Sequence, residues 1–242
     1  MSKPIAMWSG PRNISTAMMR SWEARGDTLV VDEPLYAHYL ERTGIDHPGA
    51  REVIECGEAD ADVVIDRLTT PPPLPHRFVY QKHMAHHLLP DMDLEWVDSL
   101  TNALLVREPR EMLTSLLEVL PNADLEATGL PAQIELLERF DGGLPVIDSR
   151  DVLLQPEGML QALCEKLGVP YTDRMLSWEI GPRATDGVWA KYWYANVERS
   201  TGFAPYKRKN AEVPRRHLPL LRQCEALYHR LAQHALKPIA ED

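Results

Sequence analysis

Cysteine is scarce in this chain of 242 residues, and positive charge is outnumbered. The three cysteines, Cys56, Cys164 and Cys224, stand far apart, are odd in number and have no C-x-x-C spacing. That argues against a disulfide framework or a zinc knuckle and fits a reduced, cytoplasmic setting. Long apolar runs are also missing: nowhere do about 18 apolar residues follow one another, and the opening Met1-Ser-Lys-Pro-Ile-Ala-Met-Trp8 carries one charge and no export-like apolar core. Lys and Arg number 26 against 36 Asp and Glu, a net charge of -10. A surface that wraps nucleic acid or another polyanion is therefore not expected, and any anion site must be local.

What is present is ordinary for a folded protein. Hydrophobic residues make up 44% and charged residues 26%, which excludes disordered, collagen-like and coiled-coil classes. A chain of this length buries roughly 70–75% of its unfolded surface. Short apolar runs at residues 5–8, 28–32, 77–81, 102–107 and 144–148 read as buried strands. Helical spacing follows from Ser15, across the mostly acidic stretch 51–67, after Pro109, from Pro156 to a closing Gly168, and from about Pro219 to Leu236. A proline-rich linker spans residues 69–75, and an aromatic and basic stretch runs from Gly181 to Lys209. Strands alternating with helices imply a three-layer α/β fold, a central, mostly parallel five-stranded sheet flanked by helices as in P-loop NTPases. With neither an internal repeat nor a boundary, residues 1–242 are expected to form a single domain.

In such a sheet, ligands bind at the carboxyl ends of the strands, and four strand exits hold unusual residues. Ser9-Gly-Pro-Arg-Asn-Ile-Ser-Thr16 enters a helix with free N–H groups, hydroxyls and the Arg12 guanidinium, which together could cradle a phosphate through Arg12, Asn13, Ser15 and Thr16. It is not a Walker A loop, because Ser15 and Thr16 stand where the second glycine and the lysine belong. The bland alternative is a tight turn with a Ser or Thr helix cap. Arg107, with Ser115 eight residues on, could pinch a second phosphate, unless Arg107 and Arg110 simply pair with Glu108 and Glu111. Gln81-Lys-His-Met-Ala-His-His87 offers His83 as a base and Lys82 as a charge neutraliser. The spacing of His83 and His87 lacks the glutamate and third ligand of a metal site, and His86 and His87 read as surface or packing histidines. Glu33, after the second strand, is an alternative base, with one of Asp32 and Glu33 expected to cap the next segment.

Taken in order, these segments resemble the sulfotransferases that use 3′-phosphoadenosine 5′-phosphosulfate (PAPS). Pro11-Arg-Asn-Ile-Ser-Thr16 stands in the place of that family's P-K-S-G-T-T loop, and Arg107, Pro109 and Ser115 match its R-x-P-x-x-x-x-x-S element. His83 stands seven residues before Pro90, as the histidine of K-T-H-L-P-x-x-L-L-P does. The segment 151–168 is similar to E-D-L-x-x-x-P with its I-C-x-F-L-G ending, and 183–191 to R-K-G-x-x-G-x-W-K. The sequence departs from the pattern at Arg12, Ile14, Ala17 and Ser149.

The resemblance implies transfer of a sulfuryl group from PAPS to a hydroxyl or amine of a small acceptor, without a metal. It assigns catalysis to His83 or Glu33 with Lys82 and Arg12, and donor binding to Arg12, Asn13, Ser15, Thr16, Arg107, Ser115, Arg183 and Gly187. Segments 36–49, 121–129 and 189–206 are expected to hold the acceptor. Expected partners are that small molecule and, as the oligomer allowed for, a homodimer, but neither nucleic acid nor a membrane. The alternatives are a Mg-dependent nucleotide kinase, which would need the missing loop lysine, and a catalytically silent nucleotide-binding protein.

Overall fold

The computed structural model describes residues 3–71, 74–208 and 212–240. Met1 and Ser2, Pro72 and Pro73 of the linker, and Lys209 at the end of the aromatic and basic stretch lie outside the described residues. Five strands form one sheet: β1 (Ile5–Ser9), β2 (Thr28–Asp32), β3 (Phe78–Met84), β4 (Thr101–Val106) and β5 (Val146–Asp148). Their order is β2-β3-β1-β4-β5, with every neighbouring pair parallel. The helices are α1 (Ser15–Ala24), α2 (Tyr36–Thr43), α3 (Ala50–Cys56), α4 (Ala61–Thr69), α5 (Pro109–Leu116), α6 (Leu130–Arg139), α7 (Ser149–Leu154), α8 (Pro156–Leu167), α9 (Ala190–Trp193) and α10 (Leu218–Ala232).

Every residue of β1 and β3 is buried, because both faces of the sheet are covered, as parallel sheets require. The period of two sorts the side chains. Ile5 and Met7 face a core with Met18, Met19 and Trp22 of α1 and Leu160 and Leu163 of α8. Ala6 and Trp8 face another core with Met112 and Leu113 of α5, Ile134 and Leu137 of α6, and Leu221 and Leu231 of α10. This is the three-layer α/β architecture expected.

The elements differ from expectation in detail. The third strand runs on to Met84, so Lys82 and His83 lie within the sheet and not in a loop. The charged stretch 51–67 holds parts of two helices, α3 and α4, because the Asp60 carboxylate accepts from the N–H groups of Asp62 and Val63 and starts α4 afresh. The last helix ends at Ala232, after which the Leu236 N–H donates to the Val146 carbonyl. Among the described residues, no helix is long and apolar enough to cross a membrane.

The chain passes from β1 outward to β2, returns through β3, and only then crosses to β4 on the other side of β1. The reversal opens a crevice beyond the carboxyl end of β1.

Candidate active site

A cavity of about 380 Å³ opens there, lined by the loop after β1, the start of α1, Glu33, Lys82, Arg107 and Ser115. The loop is held in shape from several sides. The Asn13 amide donates to the Leu105 carbonyl (3.1 Å), and its oxygen accepts from the Ile14 N–H (2.9 Å). At Gly10 a side chain is impossible without displacement, since a Cβ would lie 2.6 Å from the Thr128 carbonyl oxygen. Arg12 sits in the left-handed region at φ 56. The residue before α1 is Ile14, no side chain caps the helix, and its first turn holds no acidic residue. The Ser/Thr cap considered above is therefore not made, and the leading N–H groups of α1 face the cavity end where Ser15 and Thr16 line the wall.

Both arginines converge on this end. Arg12 Nε donates to Ser115 Oγ (2.9 Å), and Arg107 Nη1 donates to the Arg12 carbonyl (2.6 Å). Arg107 also pairs with Glu111 (3.2 Å), whose carboxylate accepts from the Tyr206 hydroxyl (2.7 Å). Arg107 thus makes one of the helix-start pairings weighed above while still lining the cavity. Arg12 has no carboxylate within ion-pair distance among the described residues. Burial, and Arg107 beside it, lower its pKa against the raising influence of Glu118. A half-buried guanidinium without an ion-pair partner, beside an uncapped helix start, has the chemistry that suits an anion.

Next to it stands a buried charge cluster. The Lys82 ammonium donates to Asp32 Oδ1 (2.9 Å), to Glu33 and to the Tyr194 hydroxyl (2.6 Å). The Tyr194 hydroxyl lies 2.8 Å from both Asp32 oxygens, and the Gly187 N–H donates to Asp32 Oδ2 (3.1 Å). Burial alone would strip Lys82 of its proton, yet the two carboxylates hold its pKa well above the usual lysine value. Burial lifts the Glu33 carboxyl above the usual glutamate value, opposed by Lys82 and assisted by Asp32. Neither acid caps α2, whose preceding residue is Leu35 with no side-chain cap bond.

Three expected site residues lie elsewhere. His83 faces away from the cavity: alternation along β3 puts it on the opposite face from Lys82, stacked on its register partner Trp8 (centroids 4.1 Å) and bonded to the Gln81 side chain (3.1 Å). Burial and then Lys82 push its pKa down to about 3. Arg183 is engaged near the far end of α1, pairing with Glu23 (3.5 Å) and donating to the Glu179 carbonyl (2.5 Å), and it does not line the cavity. Gly187 is also absent from the cavity wall; its N–H serves Asp32, and a Cβ there would lie 2.2 Å from the Trp189 ring. The buried Arg20–Asp186 ion pair (2.7 Å) anchors this segment. The 183–187 stretch thus ties the C-terminal region to α1 and β2.

Several lining residues were foreseen only as members of an acceptor segment or, for His86 and His87, as surface or packing groups. Tyr36, Tyr39, His47, His86, His87, Trp193 and Tyr194 wall the cavity beyond Glu33. His87 stacks between Tyr36 (4.9 Å) and Tyr39 (4.7 Å), and Tyr36 hydroxyl meets His47 Nδ1 at 3.0 Å. Burial keeps His47, His86 and His87 neutral, His86 falling to about 3. His86 and His87 are therefore cavity walls as well as packing groups. All three segments singled out as acceptor loops do contribute lining residues: Tyr36 from the first, Ala127 from the second and Phe203 from the third.

The chain is 35% identical over 234 residues to Branched-chain-amino-acid aminotransferase-like protein 2 of Arabidopsis thaliana, covering 95% of this chain and 41% of the relative. It is 36% identical over 239 residues to Branched-chain-amino-acid aminotransferase-like protein 1 of the same plant, covering 97% and 43%. The chain thus spans less than half the length of the curated relatives it matches. Among solved structures, it resembles in fold the sulfotransferase domain of the Synechococcus PCC 7002 olefin synthase, with TM-score 0.50, 16% identity and coverage of 93% and 96%. The model of the Sulfotransferase domain family matches residues 3–235, nearly the whole chain, and the protein belongs to that family.

Proposed function

We propose that the chain transfers a sulfuryl group from PAPS to a hydroxyl or amine of a small acceptor, with Glu33 as the base. One observation carries this reading: a single cavity joins the Arg12 and Arg107 side chains to the Glu33–Lys82 pair. The donor set suits a nucleotide with two anionic groups, since it offers two guanidiniums, the Ser15, Thr16 and Ser115 hydroxyls and the uncapped start of α1. The bound donor supplies the sulfuryl group. Arg12, Asn13, Ser15 and Thr16 hold its phosphosulfate end, and Arg107 with Ser115 its other phosphate. Glu33, its pKa raised by burial against the lowering influence of Lys82, takes the acceptor proton. Arg12, Lys82 and Ser15 stabilise the charge that develops on the leaving phosphate oxygen. The Tyr36–His47–His87 wall orients the acceptor.

Calorimetry with adenosine 3′,5′-bisphosphate, against ATP plus Mg, tests the donor site. Tight binding of the bisphosphate alone is expected, and none would overturn the reading. In PAPS turnover, Glu33→Gln should lose the activity; full activity in that variant refutes the base assignment.

A further inference from the structure

We propose that Asp32 and Tyr194 are positioning residues for this reaction, fixing the Lys82 ammonium against Glu33, Asp32 from behind the cavity wall and Tyr194 from within it. The inference rests on the reading of Glu33 and Lys82 given above. Asp32 does not line the cavity that holds Arg12 and Arg107, whereas Glu33, Lys82 and Tyr194 do. Its two oxygens are taken by Lys82, the Gly187 N–H and the Tyr194 hydroxyl. Tyr194 is equally committed: its oxygen accepts from Lys82 (2.6 Å) and from Trp189 Nε1 (3.1 Å) and donates its own proton to Asp32.

The consequence is a lysine with one allowed position. Its side chain is 1% exposed, and two of the three neighbours that receive its N–H groups are themselves held, Asp32 by the Gly187 N–H and Tyr194 by Trp189 Nε1. Asp32 gives the lysine a second counter-charge, which holds the proton on the ammonium and fixes that ammonium between the two carboxylates. The groups facing Glu33 are Lys82 on β3, its chain neighbour Asp32, Tyr36 on α2 and Tyr194 beyond α9. Because Gly187 and Tyr194 come from the segment anchored by Arg20–Asp186, docking of that segment completes the site.

The two variants Tyr194→Phe and Asp32→Asn, made in the full chain, have opposite expected effects on the acid limb of the turnover profile. The Tyr194 hydroxyl beside Glu33 lowers the Glu33 pKa, so its loss moves the limb to higher pH; the Asp32 charge raises it, so its removal moves the limb to lower pH. Each variant should also lose roughly tenfold in kcat, the worth of one charge-assisted hydrogen bond, with KM for the donor little changed. A fall in amplitude with the acid limb unmoved in both would mark a merely structural role and overturn the proposal. If Asp32→Asn does not fold, Tyr194→Phe, which removes one oxygen from a packed ring, carries the test alone. A separate readout uses the ¹⁵N signal of the Lys82 ammonium in the resting protein. Its slow exchange should be lost in Tyr194→Phe, and an unchanged signal refutes the positioning whether or not Glu33 proves to be the base. Failure of the base assignment is recognised independently by full turnover in Glu33→Gln.

Discussion

The sharpest test of the anion site is the replacement of Arg12. Its guanidinium is half-buried, spends Nε on Ser115 and meets no carboxylate within ion-pair distance among the described residues, so its remaining nitrogens are available to a phosphate oxygen. A charge-assisted hydrogen bond is worth about 1.5–3 kcal/mol. Arg12→Ala should therefore weaken binding of adenosine 3′,5′-bisphosphate by about 10- to 150-fold. Arg12→Lys should fall between wild type and alanine, because an ammonium keeps the charge but cannot bond Ser115 and grip a phosphate in the same forked geometry. Isothermal calorimetry measures both.

Two controls separate this from loss of folding. The thermal midpoint without ligand should change little in either variant, since Arg12 has no ion-pair partner to lose among the described residues and spends one side-chain hydrogen bond, on Ser115. The upward shift of that midpoint with added bisphosphate should shrink in proportion to the weakened affinity. An Arg12→Ala protein that binds the bisphosphate as wild type does, with its fold intact, would refute the whole assignment of the loop as the phosphosulfate seat.

Other substitutions test the corrections that the fold made to the sequence reading. His83→Gln should leave turnover at the wild-type level, because His83 lies across the sheet from the cavity. With His83 and His86 both pushed down to about 3, the unfolded chain takes up protons that the folded chain refuses as pH falls below about 6.5. Urea midpoints should therefore fall from pH 7 toward pH 5 and fall less steeply in His83→Gln; an equal slope would refute the burial argument. Arg183→Ala should bind the bisphosphate as wild type does in calorimetry, whereas Asp186→Asn, by leaving Arg20 buried without its partner, should cost about 3–5 kcal/mol in denaturant unfolding.

What the sequence made legible is local. The R-x-P-x-x-x-x-x-S element could be read because Arg107 leaves a strand, Pro109 opens a helix and Ser115 sits on that same helix, all within one short segment. The loop after β1 was legible for the same reason. The contacts of Tyr194 and Gly187 with Asp32 were not, because they span 162 and 155 residues of chain. No spacing within either segment encodes that meeting. The histidine wall was missed on similar grounds, since His47 joins His86 and His87 only through the packing of Tyr36 and Tyr39 on α2.

The run Gln81-Lys82-His83 carries a more general lesson about buried strands. Three polar residues in a row look like the end of a strand, yet β3 continues through them with every residue buried. In a sheet covered on both faces, neither side of a polar run can be left to water, so each member must find a partner on its own face. Gln81 and His83 satisfy each other on one face, with Gln81 also donating to the Leu68 carbonyl (2.7 Å). On the other face, the parallel register sets Lys82 directly opposite Asp32. A lysine buried in a central strand demands a counter-charge, and an acidic pair at the end of the adjacent strand supplies it at the one height where the sheet opens onto the crevice. The charged pair at the carboxyl edge is thus dictated by strand register, and the proposed base and its lysine follow from a requirement of folding.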